Sequence, residues 1–331
     1  MRGNKETIFS GIKATGKLHL GNYFGAIKNW VEMQNSGEYK TIYAIVDLHS
    51  ITIDIAADKL RQNIHDMAID LMSCGLDPEK SIFFVQSHVK EHAELAWIFN
   101  CILPVAELEK MTQFKDKAKQ HKKNVNAGLF DYPALMAADI LLYHAAIVPV
   151  GEDQVQHVEL TRKVVRKFNN HWGKLFEEPK TKITKTPRVM ALNDPGKKMS
   201  KELGEKSYIA LSDSADAIRE KISKAVTDTG GNKGKVNGGR NLLDLFTAFV
   251  DDENITAKFE EDYKNGELQY SKLKPMLANV IINALKPIQT KRKELEKNPD
   301  YVKEILNKGA EQAKIIASQT IREVRKLVGL E

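Results

Sequence analysis

The chain has 331 residues, enough for one large or two modest domains with proper cores. Hydrophobic residues make up 42% and charged residues 28%, the balance of a water-facing globular protein. No apolar run approaches the roughly 18 residues of a membrane span. Two cysteines, Cys74 and Cys101, exclude a disulfide framework and a cysteine-rich metal site, and both read as buried thiols. A net charge of +6 admits a polyanionic partner without requiring one. Met1 to Glu6 hold no signal-peptide core, so the expected location is cytoplasmic.

Thr7 to Phe9 is an apolar β-type run. It leads into the turn Ser10-Gly11, a second glycine turn at Gly16, and then His19-Leu20-Gly21-Asn22. From there Tyr23, Ile27, Trp30, Val31 and Gln34 fall on one helical stripe. A strand, a glycine loop and a helix start form a phosphate-binding layout. Orphan N–H groups and the helix dipole point at the anion, and glycine lets the backbone approach. His19 and Asn22 share a helical face and both can donate to phosphoryl or ribose oxygens. Taken alone, the loop is equally an ordinary helix entry with an incidental histidine.

Thr41 to Asp47 is a second buried strand, ending in the polar set Asp47-Leu48-His49-Ser50. Ala56 to Cys74 reads as a helix with Gly75 as its cap. Ser81 to Gln86 is a third strand, followed by a helix near Ala93 to Ile102. The alternation predicts a doubly wound parallel sheet, whose ligands bind beyond the carboxyl ends of the strands. Glu107 to Asn126 is a charged insertion with a basic run that includes Lys117, Lys119, Lys122 and Lys123. That run reads first as a solvated helix face and second as a phosphate or RNA contact.

The next helix carries Tyr132, Met136, Asp139 and Tyr143 on one face, with Pro133 in its first turn and Asp131 or Tyr132 as cap. A carboxylate on an apolar helix needs a partner. Asp139 either accepts backbone hydrogen bonds in a core or accepts one N–H from a ligand ring. Ile147 to Val150 is a short strand ending in Gly151-Glu152-Asp153-Gln154, and a helix runs from Gln154 to Phe168. Arg188 to Leu192 is the last strand and delivers Asn193-Asp194-Pro195-Gly196 into Lys197-Lys198-Met199-Ser200-Lys201. Segments 213–227, 240–250, 270–285 and 300–329 read as helices, interrupted by the glycine-rich loop Gly230 to Gly239. The expected division is an α/β domain over 1–196, with a helical insertion at about 107–145, and a helical domain over 197–331.

The stretches His19-Leu20-Gly21-Asn22 and Lys198-Met199-Ser200-Lys201-Glu202 resemble the HIGH and KMSKS signatures of class I aminoacyl-tRNA synthetases. Met111-Thr112-Gln113-Phe114-Lys115, Leu135 to Tyr143, Val148 to Gln154 and Ala225-Val226-Thr227-Asp228-Thr229 are similar to stretches of the bacterial-type tryptophanyl branch, in the same order. The resemblance covers essentially the whole chain. It implies a Rossmann-like catalytic domain followed by an anticodon-binding helical domain. It also implies tryptophan, Mg-ATP and tRNA(Trp) as substrates, with Mg2+ held by ATP phosphates and no protein metal site. A homodimer is implied, with no membrane or DNA partner.

Carried over residue by residue, the resemblance assigns Phe9, His49, Tyr132, Met136, Asp139 and Gln154 to tryptophan. Asp139 would accept the indole N–H, while Tyr132 and Gln154 would hold the α-amino group. It assigns Gly21, Asn22, Gly151, Glu152, Asp153 and Val189 to adenosine. His19, Asn22, Lys115, Lys198, Ser200 and Lys201 would act on the triphosphate, with Met199 and Glu202 part of the same ATP loop. Lys13-Ala14-Thr15 stands where the family has Gln-Pro-Ser, and Glu202 where it has serine. Lys13 is expected to add a phosphate contact. Glu202 must turn away or pair with Lys201 or Lys206. Three rivals remain: a tyrosyl enzyme, a non-catalytic RNA-binding relative, and a small nucleotidyltransferase, which would not need the long helical domain.

Overall fold

The computed structural model describes residues 5–114, 125–183, 189–228, 237–250 and 252–331. Lys115, the basic run from Lys117 to Lys123, Arg188, Thr229 and the loop lysines Lys233 and Lys235 lie outside the described residues. In chain order the elements begin with β1 (Thr7–Ile12), α1 (Lys28–Ser36), β2 (Lys40–Ile45), α2 (Ala57–Ser73) and β3 (Ser81–Val85). They continue with α3 (Glu91–Asn100), α4 (Ala127–Leu141), β4 (Ile147–Val150), α5 (Val155–Trp172) and β5 (Lys180–Ile183). Five helices follow: α6 (Ala215–Lys224), α7 (Gly238–Thr247), α8 (Glu253–Asn265), α9 (Tyr270–Glu296) and α10 (Pro299–Val328). None of the described helices is long and apolar enough to cross a membrane.

By packing, the chain forms two compact units. One comprises 1–16, 30–184 and 298–331, and the other 17–29 and 185–297. These units do not follow the expected cut at residue 196. The terminal helix α10 belongs with the sheet, and the turn carrying His19 belongs with the later helices.

The first unit is built on a parallel sheet ordered β3-β2-β1-β4-β5. Ile42, Tyr43, Ala44 and Ile45 are all buried, as strands covered on both faces must be. Tyr43 stacks on Trp30 at 4.7 Å and its hydroxyl donates to the Trp30 carbonyl at 3.0 Å, which satisfies a buried polar atom. The strand order reverses between β1 and β4, so the crevice that binds ligands opens beyond their carboxyl ends. Lys13 follows one of those ends and Gly151 the other.

Strand β3 is an outer strand, and α10 covers it. Gly309 lets the helix backbone reach the strand: a Cβ there would lie 1.8 Å from the Phe83 carbonyl oxygen. Unpaired edge groups are thereby hidden from other chains.

The second unit carries a turn at Leu20–Asn22 and α6 to α9. Its backbone ties the early and late segments together. Leu20 N–H donates to the Ile209 carbonyl at 3.0 Å and Leu211 N–H to the Leu18 carbonyl at 2.9 Å. Lys274 of α9 donates to the Ser223 and Ala225 carbonyls at the end of α6, both at 2.8 Å.

Several expectations need correction. Val189 to Leu192, the described part of the expected strand at 188–192, supplies no strand to the sheet. Instead Met190 bridges Lys198, and Ala191 N–H donates to the Lys197 carbonyl at 2.8 Å. The fifth strand is Lys180–Ile183, whose lysines sit on an exposed edge and leave no apolar alternation to read. Helix α4 starts earlier than expected: Asn126 is its cap, its side chain accepting from Leu129 N–H at 2.9 Å. Pro133 therefore sits inside the helix, where it removes the N–H that would bond back to Leu129. Helix α8 was not expected. Cys101 is exposed and Cys74 half-buried, so neither is a fully buried thiol.

Candidate active site

Helix α4 acts as a ruler in the first unit. Tyr132 and Asp139 are seven residues apart, which is about 10 Å of helix rise. Asp139 is only 2% exposed. Its Oδ2 lies 2.8 Å from His49 Nε2. Its Oδ1 accepts from Gln86 Nε2 at 2.6 Å and lies 2.6 Å from His92 Nδ1. Burial pushes the Asp139 carboxyl up, but the hydrogen bonds and charge of His49 and His92 outweigh it and hold the group well below the usual carboxylate range. An ionised carboxylate only accepts, so both imidazoles turn an N–H toward it.

The elements explain these positions. Gln86 follows the end of β3, and its Oε1 accepts from Leu48 N–H at 3.1 Å. His49 lies in the turn Asp47–Ser50 beyond β2. That turn is held by Asp47, which accepts from the Ser87 N–H at 2.9 Å and the Ser87 hydroxyl at 2.5 Å. His92 is in the first turn of α3. Phe9 of β1 stacks on Tyr143 at 5.4 Å with the rings 9° apart, which gives the pocket an aromatic wall.

At the other end, the Tyr132 hydroxyl lies 2.8 Å from His157 Nε2, and burial pushes the Tyr132 phenol up. The Lys13 ammonium stands 5.4 Å from the centroid of the Tyr132 ring. The backbone behind Lys13 is fixed: Ala14 N–H donates to Ser50 Oγ at 3.0 Å, and Asn63 Nδ2 donates to the Ala14 carbonyl at 3.1 Å. Beyond β4, Gln154 Nε2 donates to Asp153 Oδ2 at 2.9 Å. Gln113 donates to the Asp153 carbonyl at 3.1 Å.

The second unit assembles the other set. His19 N–H donates to Asn22 Oδ1 at 3.2 Å, and His19 bridges Ala210. A Cβ at Gly21 would lie 3.0 Å from the His19 ring and 3.5 Å from Met199 Cβ. The histidine turn and the lysine loop are thus packed together within one unit. Met199 is buried and anchors that loop, while Ser200 Oγ accepts from Glu202 N–H at 3.2 Å and caps the next turn. The Glu202 side chain is exposed. Burial, with the charges of Lys201 and Lys198, lowers His19 from 6.5 to about 4. Its Nδ1 has no hydrogen-bond partner among the described residues.

A buried carboxylate in an aromatic slot, a histidine turn and a lysine loop are features that the resemblance in sequence implies, and comparison with known proteins shows the family. The family model described as tRNA synthetases class I (W and Y) matches residues 1–286.

The chain belongs to that family.

A tryptophan–tRNA ligase of Wolinella succinogenes is 46% identical over 98% of this chain and 99% of its own length. Among solved structures, the Campylobacter jejuni tryptophanyl-tRNA synthetase complexed with ADP and tryptophan is 34% identical, with a TM-score of 0.83. That match covers 98% of this chain and 99% of that one. The Mycoplasma pneumoniae enzyme is 33% identical, with a TM-score of 0.87 over 99% of both chains.

For this class I synthetase, the first unit holds Phe9, His49, Tyr132, Met136, Asp139 and Gln154, together with Lys13, Ala14, Thr15, Gly151, Glu152 and Asp153. The second holds His19, Gly21, Asn22, Val189 and the loop Lys198 to Glu202. Lys115 lies outside the described residues. Sequence reading missed Gln86 and His92 as partners of Asp139, and His157 as partner of Tyr132. The available signal was thin: a polar Gln86 at a strand's carboxyl end and a histidine opening an otherwise apolar helix.

Proposed function

We infer that the chain is a tryptophan–tRNA ligase. It activates L-tryptophan with ATP to tryptophanyl-AMP and pyrophosphate, then esterifies the 3′-terminal adenosine of tRNA(Trp). The observation that carries the amino-acid choice is Asp139, ionised and buried in an aromatic slot. A carboxylate offers about four lone-pair positions. Gln86 and His92 take two on Oδ1 and His49 takes one on Oδ2. The remaining position on Oδ2 suits an indole N–H. A buried acceptor left without its donor costs about 1–3 kcal/mol, more when charged. A site of this type rejects substrates that lack the donor. Phenylalanine lacks the donor, and tyrosine carries its hydroxyl elsewhere.

In the chemical step the tryptophan carboxylate attacks the α-phosphorus of ATP and the bond to pyrophosphate breaks. No side-chain nucleophile is involved, so the protein's task is positioning and charge stabilisation. In the second unit, His19 is neutral at pH 7 and offers an N–H to phosphoryl oxygen without adding charge. Lys198 and Lys201 balance the departing pyrophosphate, and Ser200 fixes their backbone. Lys115 joins this set, and Gly21, Asn22 and Val189 hold adenosine. In the first unit, Tyr132 and Gln154 hold the α-amino group, and Gly151, Glu152 and Asp153 contact the nucleoside. Lys13, Ala14 and Thr15 line the phosphate side. Mg2+ enters as part of the substrate, on the ATP phosphates. In the second step the 2′-hydroxyl of the terminal adenosine attacks the acyl carbonyl and AMP leaves.

The helical C-terminal segment reads the anticodon, and the protein acts in the cytoplasm as a homodimer. Supporting the dimer, Trp97 is 71% and Val105 61% exposed, large apolar surfaces of the kind that interfaces cover. The function is tested by charging. Labelled tryptophan with ATP should be esterified to tRNA(Trp), and labelled tyrosine should not be esterified to tRNA(Tyr). The reverse pattern would assign the tyrosyl activity.

A further inference from the structure

Asp139 is held from behind by a chain of two fully enclosed side chains. His92 is 0% exposed, and both of its ring nitrogens are engaged. Nδ1 lies 2.6 Å from Asp139 Oδ1, and Nε2 lies 2.7 Å from the Tyr143 hydroxyl. Tyr143 is itself buried, one helical turn after Asp139, and stacks on Phe9. Burial, followed by the charges of Asp139 and Glu91, pushes the Tyr143 phenol up, so its proton stays available to the imidazole. With Nδ1–H committed to the carboxylate, the hydrogen bond between Nε2 and the Tyr143 hydroxyl fixes the orientation of the ring from its other side.

This arrangement has a consequence for the carboxylate's two oxygens. Gln86 and His92 both act on Oδ1, while His49 alone acts on Oδ2. The carboxylate plane is set by the Oδ1 pair, and Oδ2 keeps the open position. Without His92, Oδ1 would regain a free lone pair, and rotation about the Cβ–Cγ bond would no longer be pinned on both sides. The acceptor direction would then blur, because charge-assisted hydrogen bonds carry their specificity through geometry.

We propose that His92, braced by Tyr143, is a positioning and specificity residue that aims Asp139 Oδ2 at the indole N–H of tryptophan. The proposal rests on the reading that Asp139 accepts that N–H. His92 does not touch substrate. It acts through Asp139, and Tyr143 acts through His92.

The test compares tryptophan with its benzothiophene analogue, in which sulfur replaces the indole N–H with little change of shape. ATP–pyrophosphate exchange gives kcat/KM for each, in the wild type and in His92→Leu, His92→Asn and Tyr143→Phe. The wild type should prefer tryptophan by roughly a hundredfold or more. His92→Leu should cut that ratio by about tenfold or more, mainly through loss on tryptophan. His92→Asn keeps a short N–H donor near the Nδ1 position and should recover part of the ratio. Tyr143→Phe keeps the ring on Phe9 and removes only the brace, so it remains informative if a His92 variant fails to fold. It should lower the ratio by roughly threefold.

A purely structural role would depress both substrates equally and leave the ratio at its wild-type value. That result, in Tyr143→Phe and in a folded His92 variant, overturns the proposal alone. A wild type that uses both substrates equally overturns the Asp139 reading, and this proposal with it.

Discussion

Gly309→Ala sets two effects of known size against each other. In an isolated helix, alanine is favoured over glycine by about 1 kcal/mol. At this position of α10 the added Cβ would lie 1.8 Å from the Phe83 carbonyl oxygen and 2.7 Å from its carbonyl carbon. An ordinary carbon–oxygen contact needs roughly 1.5 Å more than that. Both atoms belong to backbone, so no side chain can turn aside. Overpacking costs about 1–3 kcal/mol when neighbours can shift, and more when they cannot. The clash wins, and the expected net loss is about 2 kcal/mol or more.

For a chain of 331 residues, at about 2.1 cal/mol/K of unfolding entropy per residue, that corresponds to a fall in Tm of about 3 °C. The control is Gly25→Ala in the helical turn Tyr23–Ile27, where a Cβ would meet nothing within 4 Å and no such clash is expected. Circular-dichroism melts and urea titrations read both. The effect should also reach the substrate: Phe83 is three residues before Gln86, so a displaced β3 should loosen Asp139 and raise the KM for tryptophan. A Gly309→Ala protein as stable as the wild type, or more so, would refute the account of how α10 seals the sheet edge.

Three further outcomes are expected. Lys13→Gln should raise the KM for ATP or lower kcat by about fivefold, the size of a half-buried charge-assisted contact of about 1 kcal/mol. No change in either would remove Lys13 from the phosphate side. His19 binds a proton only near pH 4 in the folded state, against 6.5 when unfolded. Below pH 6.5 the unfolded chain therefore takes up a proton that the folded chain refuses. Stability should fall by about 3 kcal/mol between pH 6.5 and 4 from this group alone. His19→Asn should flatten that part of the urea-midpoint profile, and an unchanged slope would contradict the assignment. Sedimentation should give twice the 37.3 kDa chain mass for the wild type, with Trp97→Asp shifted toward the monomer. A monomeric wild type would end the dimer proposal.

Residues that declare themselves through local pattern were legible. The buried strands β1, β2 and β3 are apolar runs, and parallel strands must be. Asp139 stood out as a carboxylate on an apolar helix face, and His19 and Met199 through motifs that the fold packs together. Features created by tertiary contact were not legible. Nothing local says that Gln86, His92 and Asp139 converge, since they come from three elements. Asp131-Tyr132-Pro133 imitates a helix start, yet the helix begins at Ala127 because Asn126 caps it and Leu129 in its first turn is buried in the core. Lys180–Ile183 is a strand only because β4 offers it an edge. The packing units escaped a reading by position because α10 returns to β3, and sequence distance carries no record of that.

The most direct test is ATP–pyrophosphate exchange with tryptophan, tyrosine and phenylalanine, run on the wild type and on Asp139→Ala. Wild-type exchange should occur with tryptophan alone. The variant should lose roughly a hundredfold or more in kcat/KM for tryptophan while its KM for ATP holds. An Asp139→Ala protein that activates tryptophan as well as the wild type would contradict the account at its centre.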